Sequence, residues 1–243
     1  MPNPTAAMLV IGDEILSGRT RDANMHHLAG ELSQHGIDLN EVRVVADDHE
    51  AIVAALNALR GTWDHVFTSG GIGPTHDDIT ADAVAAAFGV GIDVREDARA
   101  LLEAHYARTG MELNAARLRM ARIPQGARLI ENPISAAPGF SIGNVHVMAG
   151  VPAIFEAMLA SILPSLAGGA PLLSQSLRIA RGEGEIAAPL RTLSEEFPEL
   201  SFGSYPFVKD GVYGAQVVIR GTEKARVDAA MLRLADIFPE STA

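Results

Sequence analysis

The pattern that most narrows what this chain can fold into is a strand, then a glycine loop, then a helix. Residues 63–67 are a short apolar run. Thr68-Ser69-Gly70-Gly71-Ile72-Gly73-Pro74-Thr75-His76-Asp77-Asp78-Ile79-Thr80 follows directly, and an Ala-rich stretch then reaches Phe88. Without Cβ atoms, the loop's backbone N–H groups approach an anion closely. The N-terminus of the following helix adds partial positive charge. The segment therefore reads as a phosphate cradle. Asp77 and Asp78 would repel a phosphate unless a divalent cation lay between them. A phosphorylated ligand held partly through a metal is the expectation.

The same alternation runs through the first two thirds of the chain. Residues 6–11 are an apolar run ending at Gly12, the pattern of a buried strand. Met25, Leu28, Ala29 and Leu32 follow at helical spacing, with Gly36 placed to end that helix. Residues 37–45 predict the next strand, and Asp48 an N-cap for a helix closed by Gly61. Residues 63–67 predict the third strand and residues 78–88 the third helix. Residues 96–107 and 114–121 predict two more helices. Residues 127–130 and 140–148 predict strands, the latter turning at Gly143-Asn144. Pro152 opens another helix from its N1 position. Strands alternating with helices predict an α/β fold, three-layered with a mostly parallel sheet.

Leu166-Ala167-Gly168-Gly169-Ala170-Pro171 is small and turn-rich, and marks a boundary between domains 1–170 and 171–243. Beyond it the rhythm is β-α-β-β-α, an α+β module with a hairpin around Lys209-Asp210-Gly211 and a final helix over 223–238. Phe202, Tyr205, Phe207 and Tyr213 on its strands read as core first and as a ligand wall second.

Composition excludes several classes. The 243 residues carry a net charge of −11, which disfavours broad nucleic-acid or anionic-membrane binding. An acidic protein binds phosphate only locally, through backbone amides and metal ions. There is no cysteine, which removes disulfides, thiolate catalysis and cysteine-based metal sites. The N-terminus has no signal-peptide pattern, and no apolar run approaches a membrane span, so a soluble cytoplasmic protein is expected. The eight histidines show no metal-ligand spacing. There is no G-x-x-x-x-G-K-[ST] and no G-x-G-x-x-G, so a P-loop kinase and an ordinary dinucleotide dehydrogenase both fit poorly. Ser17 and Ser69 lack a nucleophile-elbow context.

What remains is a constellation of carboxylates. Ligands of open parallel sheets bind at the carboxyl ends of the strands. Three such ends carry Asp13-Glu14, Asp47-Asp48 and the glycine loop with Asp77-Asp78. Each has a bland alternative. Asp48 is an N-cap candidate before it is a ligand, and one of Asp77 and Asp78 can serve merely to cap its helix. Ser69, Thr75 and Thr80 are turn and cap residues or phosphate and metal contacts.

Taken together, Gly12-Asp13-Glu14-Ile15-Leu16-Ser17-Gly18, Asp22-Ala23-Asn24, Asp47-Asp48, residues 68–80, Asn132-Pro133, Ala137-Pro138-Gly139-Phe140 and Gly150-Val151-Pro152 form an ordered set. That set resembles the molybdopterin-binding (MoaB/Mog-like) superfamily, and more closely the N-terminal part of the competence/damage-inducible protein A family. The module after residue 170 resembles the KH-like module that follows there. The resemblance implies a pocket for a phosphorylated pterin- or nucleotide-like ligand and a homo-oligomer. In one branch it implies metal-dependent (Mg, Mn or Co) hydrolysis of dinucleotide pyrophosphates such as ADP-ribose or FAD. In the other it implies binding or adenylylation of molybdopterin. Carried onto this chain, the catalytic candidates are Asp13, Asp77 and Asp78. The metal candidates are Asp13, Glu14, Asp77 and Asp78. Ser69, Gly70, Gly71, Gly73, Thr75, Asp47, Pro138 and Gly139 are the ligand candidates. Two positions depart from the family pattern. Ser135-Ala136 stands where Gly-Thr is usual, and Ile154 where a Glu is usual. With the sequence ending at Ala243, the family's nicotinamide-mononucleotide amidase activity is not expected.

Overall fold

Strand Thr5–Ile11 (β1) is buried along nearly its whole length, and its side chains divide strictly by parity. Ala7, Leu9 and Ile11 enter one apolar cluster, whereas Ala6, Met8 and Val10 enter another. A strand that is apolar on both faces needs cover on both, which dictates three layers. The computed structural model, which describes residues 2–209, 211–239 and 241, has that arrangement in its first unit. The chain divides into two compact units between Gly169 and Ala170.

In the first unit β1 leads through a single helical turn, Asp13–Leu16 (α1), to helix Asn24–Gln34 (α2) and strand Asp38–Val45 (β2). Helix His49–Arg60 (α3) starts at Asp48, whose Oδ1 accepts from the Ala51 N–H at 2.8 Å, the predicted cap. Strand His65–Ser69 (β3), the glycine loop and helix Thr80–Phe88 (α4) follow. Helix α4 begins two residues later than the sequence suggests. Its N-cap position is Ile79 with no side-chain cap, so neither Asp77 nor Asp78 serves that role. Then come strand Ile92–Val94 (β4), helices Glu96–Thr109 (α5) and Ala115–Leu118 (α6), a 3-10 turn Arg119–Ala121, and strands Arg122–Pro124 (β5) and Arg128–Ile130 (β6). A hairpin of Gly139–Ile142 (β7) and Val145–Met148 (β8) precedes helix Pro152–Ile162 (α7).

The main sheet has the order β2-β1-β3-β8-β7-β6. Its first four strands are parallel; β7 runs antiparallel to β8, and β6 antiparallel to β7. Helices α3, α4 and α5 contribute Leu56, Val84 and Leu102 to one face. Helices α2 and α7 contribute Leu28 and Phe155 to the other. The chain leaves β1 toward β2 on one side and returns to β3 on the other. That reversal of strand order opens a crevice at the carboxyl ends.

The second unit is β-α-β-β-α. Strand Leu173–Ile179 (β9), helix Glu183–Glu196 (α8), strands Ser201–Lys209 (β10) and Val212–Gly221 (β11) and helix Lys224–Ile237 (α9) build an antiparallel sheet of order β10-β11-β9. Leu177, Ile186, Val217 and Leu234 are among its core. Asp210 of the anticipated hairpin turn lies outside the described residues. Of the four strand aromatics, Phe202 packs against this core, while Tyr205 and Tyr213 are 48% and 73% exposed. The core reading fails for those two: alternation turns Tyr205 away from the helices, whereas Tyr213 shares the parity of the buried Ala215 and Val217 and is exposed near the end of its strand. Among the described residues, no helix is long and apolar enough to cross a membrane.

Candidate functional site

The parallel strands β1, β2, β3 and β8 end on one edge, and the segments after them are locked together by backbone geometry. Gly12 donates to the Val45 carbonyl at 3.1 Å, joining the ends of β1 and β2. Gly70 donates to Met148 at 3.2 Å, joining β3 and β8. Gly70 has φ +106°, and a Cβ there would collide with the Ile11 carbonyl. Gly71 has φ +68°, and a Cβ there would strike the Thr80 hydroxyl, which itself bonds the Gly70 carbonyl at 3.0 Å. These two glycines are therefore required by both backbone conformation and space.

The loop then closes on itself. Thr75 donates its N–H and its hydroxyl to Asp78 Oδ2 at 2.7 and 2.5 Å. Thr80 N–H bonds the Gly71 carbonyl at 3.0 Å. Among the described residues, no protein acceptor takes the N–H groups of Gly71, Ile72 and Gly73. Three adjacent backbone donors left open at a strand end have the chemistry that suits an anion.

A cavity of about 530 Å³ lies over this edge. Glu14, Asp47, Asp77 and Asp78 line it together with Gly70, Gly71 and Gly73. Seven of the twelve positions singled out in the sequence thus meet at one site. The other five do not line it. Asp13 turns its side chain to solvent, and its N–H donates to Asp47 Oδ2 at 2.9 Å. Ser69 is buried and receives the Asn24 amide at 2.7 Å. Thr75 is spent on Asp78. Pro138 borders a smaller neighbouring cavity. Gly139 lies within β7, where a Cβ would collide with the Val147 carbonyl, so its need for glycine is packing against β8.

Burial pushes the Asp47 carboxyl above its ordinary value; the Asp13 N–H opposes this, while the charges of Asp13, Glu14 and Asp77 add to it. Among the described residues, no three acidic or histidine side chains are grouped closely enough to hold a metal ion by themselves. Any cation at this edge would draw part of its shell from the ligand.

Two residues without an assigned role in the sequence reading contribute here. Asn24, part of the Asp22-Ala23-Asn24 motif, donates to Ser69 Oγ and to the Gly150 carbonyl at 2.7 and 2.8 Å. It pins the start of α2 to both the β3 and β8 ends. Arg119 reaches the loop from the 3-10 turn, its Nη2 3.5 Å from the Asp78 carbonyl. One of three arginines, Arg117, Arg119 and Arg122, spaced among apolar residues, it carried no signal of that placement.

Comparison with known proteins finds relatives of the chain. Residues 7–168 match the family model described as "Probable molybdopterin binding domain", and residues 171–243 match "FAD synthase, middle domain". A CinA-like protein of Citrifermentans bemidjiense is 42% identical over 167 residues, covering 67% of this chain and 40% of that one. A "Probable FAD synthase" of Caenorhabditis elegans is 29% identical over 260 residues, covering 96% of this chain and 50% of that one. The chain thus spans half or less of the length of these two relatives. The crystal structure of the protein CinA from Thermoplasma acidophilum, described as of unknown function, superposes with a TM-score of 0.62. It is 35% identical, over 68% of this chain and 99% of that one.

Proposed function

The chain belongs to the CinA-like, MoaB/Mog-type family of molybdopterin-binding domains, and on that premise we propose that its strand-edge cavity holds the diphosphate of a dinucleotide such as ADP-ribose or FAD and hydrolyses it. The observation that carries this reading is the run of three open N–H groups, Gly71 to Gly73, at a cavity also lined by Glu14, Asp47, Asp77 and Asp78 and by the polar Thr20, Asn132 and Ser135. The match of residues 171–243 to an FAD synthase domain supports a flavin or adenine dinucleotide.

The reaction is addition of water to one phosphorus with cleavage of the bridging P–O bond, so that ADP-ribose gives AMP and ribose 5-phosphate. The loop N–H groups orient the diphosphate and neutralise charge that grows on its oxygens. Asp47, whose carboxyl is made more basic than usual by burial, would take a proton from the attacking water. The donor set is of hard oxygens, which fits a divalent cation. Asp77 or Asp78, with Glu14, would hold an ion of the Mg²⁺, Mn²⁺ or Co²⁺ class, phosphate oxygens completing its shell, and that ion would supply Lewis-acid stabilisation. The proposal includes a homo-oligomer, which light scattering tests.

Release of AMP from ADP-ribose and FAD, with each cation in turn, tests the reading against an Asp78→Asn variant. Cation-dependent AMP formation lost in the variant supports it; no turnover with any cation rejects it. A second reading, binding of molybdopterin without hydrolysis, is favoured by Ile154. This apolar side chain lines the cavity where the family pattern has a carboxylate. Tight molybdopterin binding without product would select that reading.

A further inference from the structure

An anion entering the cavity meets an adverse field. The lining includes four carboxylates and, among the described residues, no cationic side chain. The glycine loop has a second side, however. There Gly71, Gly73 and Asp78 border a much smaller cavity of about 20 Å³, lined also by Arg119 and Arg122. Arg122 is committed elsewhere, since its Nη1 and Nη2 donate to the two oxygens of Asp82 at 2.7 and 2.6 Å. Arg119 has no such partner. Its Nη2 makes one long contact to the Asp78 carbonyl, and its Nε is buried with no acceptor. A buried guanidinium N–H left unsatisfied is unfavourable and rare. Phosphate is the ligand chemistry that its planar fork of donors fits best.

We propose that Arg119 is a phosphate-binding residue, supplying from beneath the glycine loop the positive charge that the cavity lining lacks. The inference rests on the loop being the phosphate site proposed above. It adds that recognition depends on the charge of the ligand as well as on backbone donors, so that diphosphates are selected over uncharged nucleosides. Asp78 links the two: its carboxylate closes the loop through Thr75, and its carbonyl receives Arg119.

The test is calorimetric titration of the full chain with inorganic pyrophosphate, ADP-ribose and adenosine, at low and high salt, each with and without Mg²⁺. Arg119→Gln should weaken pyrophosphate and ADP-ribose about tenfold to a hundredfold, the range for a hydrogen bond to a charged group. It should also flatten the salt dependence and leave adenosine unchanged. Arg119→Lys should recover part of the loss. Thermal melting of both variants checks that the fold survives. Wild-type affinity and salt dependence in Arg119→Gln, with binding lost in Gly71→Val, would overturn the role of Arg119 and leave the loop reading standing. Equal weakening of all three ligands would also overturn it, because a charge partner does not affect adenosine. Failure of the unmodified protein to bind either phosphate compound overturns both readings together.

Discussion

Asp78 holds Thr75 by two bonds to one oxygen, from the backbone N–H and from the hydroxyl, so that carboxylate both shapes the glycine loop and places charge in the cavity. The two roles separate by substitution. Asp78→Asn keeps an oxygen acceptor for Thr75 and removes the charge. It should lose turnover of ADP-ribose at least a hundredfold with little change in melting temperature. Asp78→Ala loses both bonds and should lower stability by about 1 kcal/mol as well. Steady-state AMP release and thermal melting distinguish them.

Gly71→Ala adds two penalties. Its positive φ is disfavoured by about 1 kcal/mol for a residue with a Cβ. The new methyl also forces the Thr80 hydroxyl off the Gly70 carbonyl. The sum should be about 2–3 kcal/mol in urea unfolding. Gly110→Ala, at φ +69° with open space around it, is the control and should show the first penalty alone.

Asn24→Ala removes both amide bonds and leaves the buried Ser69 Oγ without its donor. A loss of about 2–3 kcal/mol is expected. Ligand affinity should fall with it, because the β3 and β8 ends are no longer tied to α2. Urea unfolding and titration with ADP-ribose measure the two effects on one sample.

His146 gives a pH dependence of known sign. It is 3% exposed, lies between Ser141 Oγ at 2.9 Å and His65 Nδ1 at 3.3 Å, and is pushed down to about 3, first by burial. The unfolded chain takes up this proton near pH 6.5 and the native chain does not. Stability is therefore complete above that value and lost as pH falls through it. The slope should approach about 1.4 kcal/mol per pH unit between roughly pH 6 and 5. His146→Asn should flatten the slope in urea titrations over that range.

Period and punctuation made most of the first unit legible. The two-sided strand at Ala6 to Ile11, the Asp48 cap and the β7–β8 turn at Gly143-Asn144 all depend on neighbours in sequence. The α1 turn and the three-residue strands β4 and β5 were not anticipated. Of the residues that the sequence singled out, Gly70, Gly71 and Gly73 and the acids Glu14, Asp47, Asp77 and Asp78 line the cavity. Asp13 could not be told from Glu14, since only the α1 turn decides which carboxylate faces inward. Arg119 was invisible because its placement beside the loop depends on where a long excursion of chain returns. Gly139 packs on β8 and does not line the cavity, and in sequence a glycine beside a ligand and a glycine beside a strand look the same.

The pairing of β8 between β3 and β7 has a consequence for how the protein comes into being. Asn24, Gly70 and Gly150 meet only after Met148 has been made. A nascent chain that has emerged as far as α5 already displays the whole glycine loop, but the far wall of the crevice does not yet exist. Until β8 arrives, β3 presents a bare, apolar edge of the kind that recruits strands from other chains. The recognition surface is thus completed late in synthesis, and a pause in translation between the loop and β8 prolongs the interval of greatest exposure to aggregation.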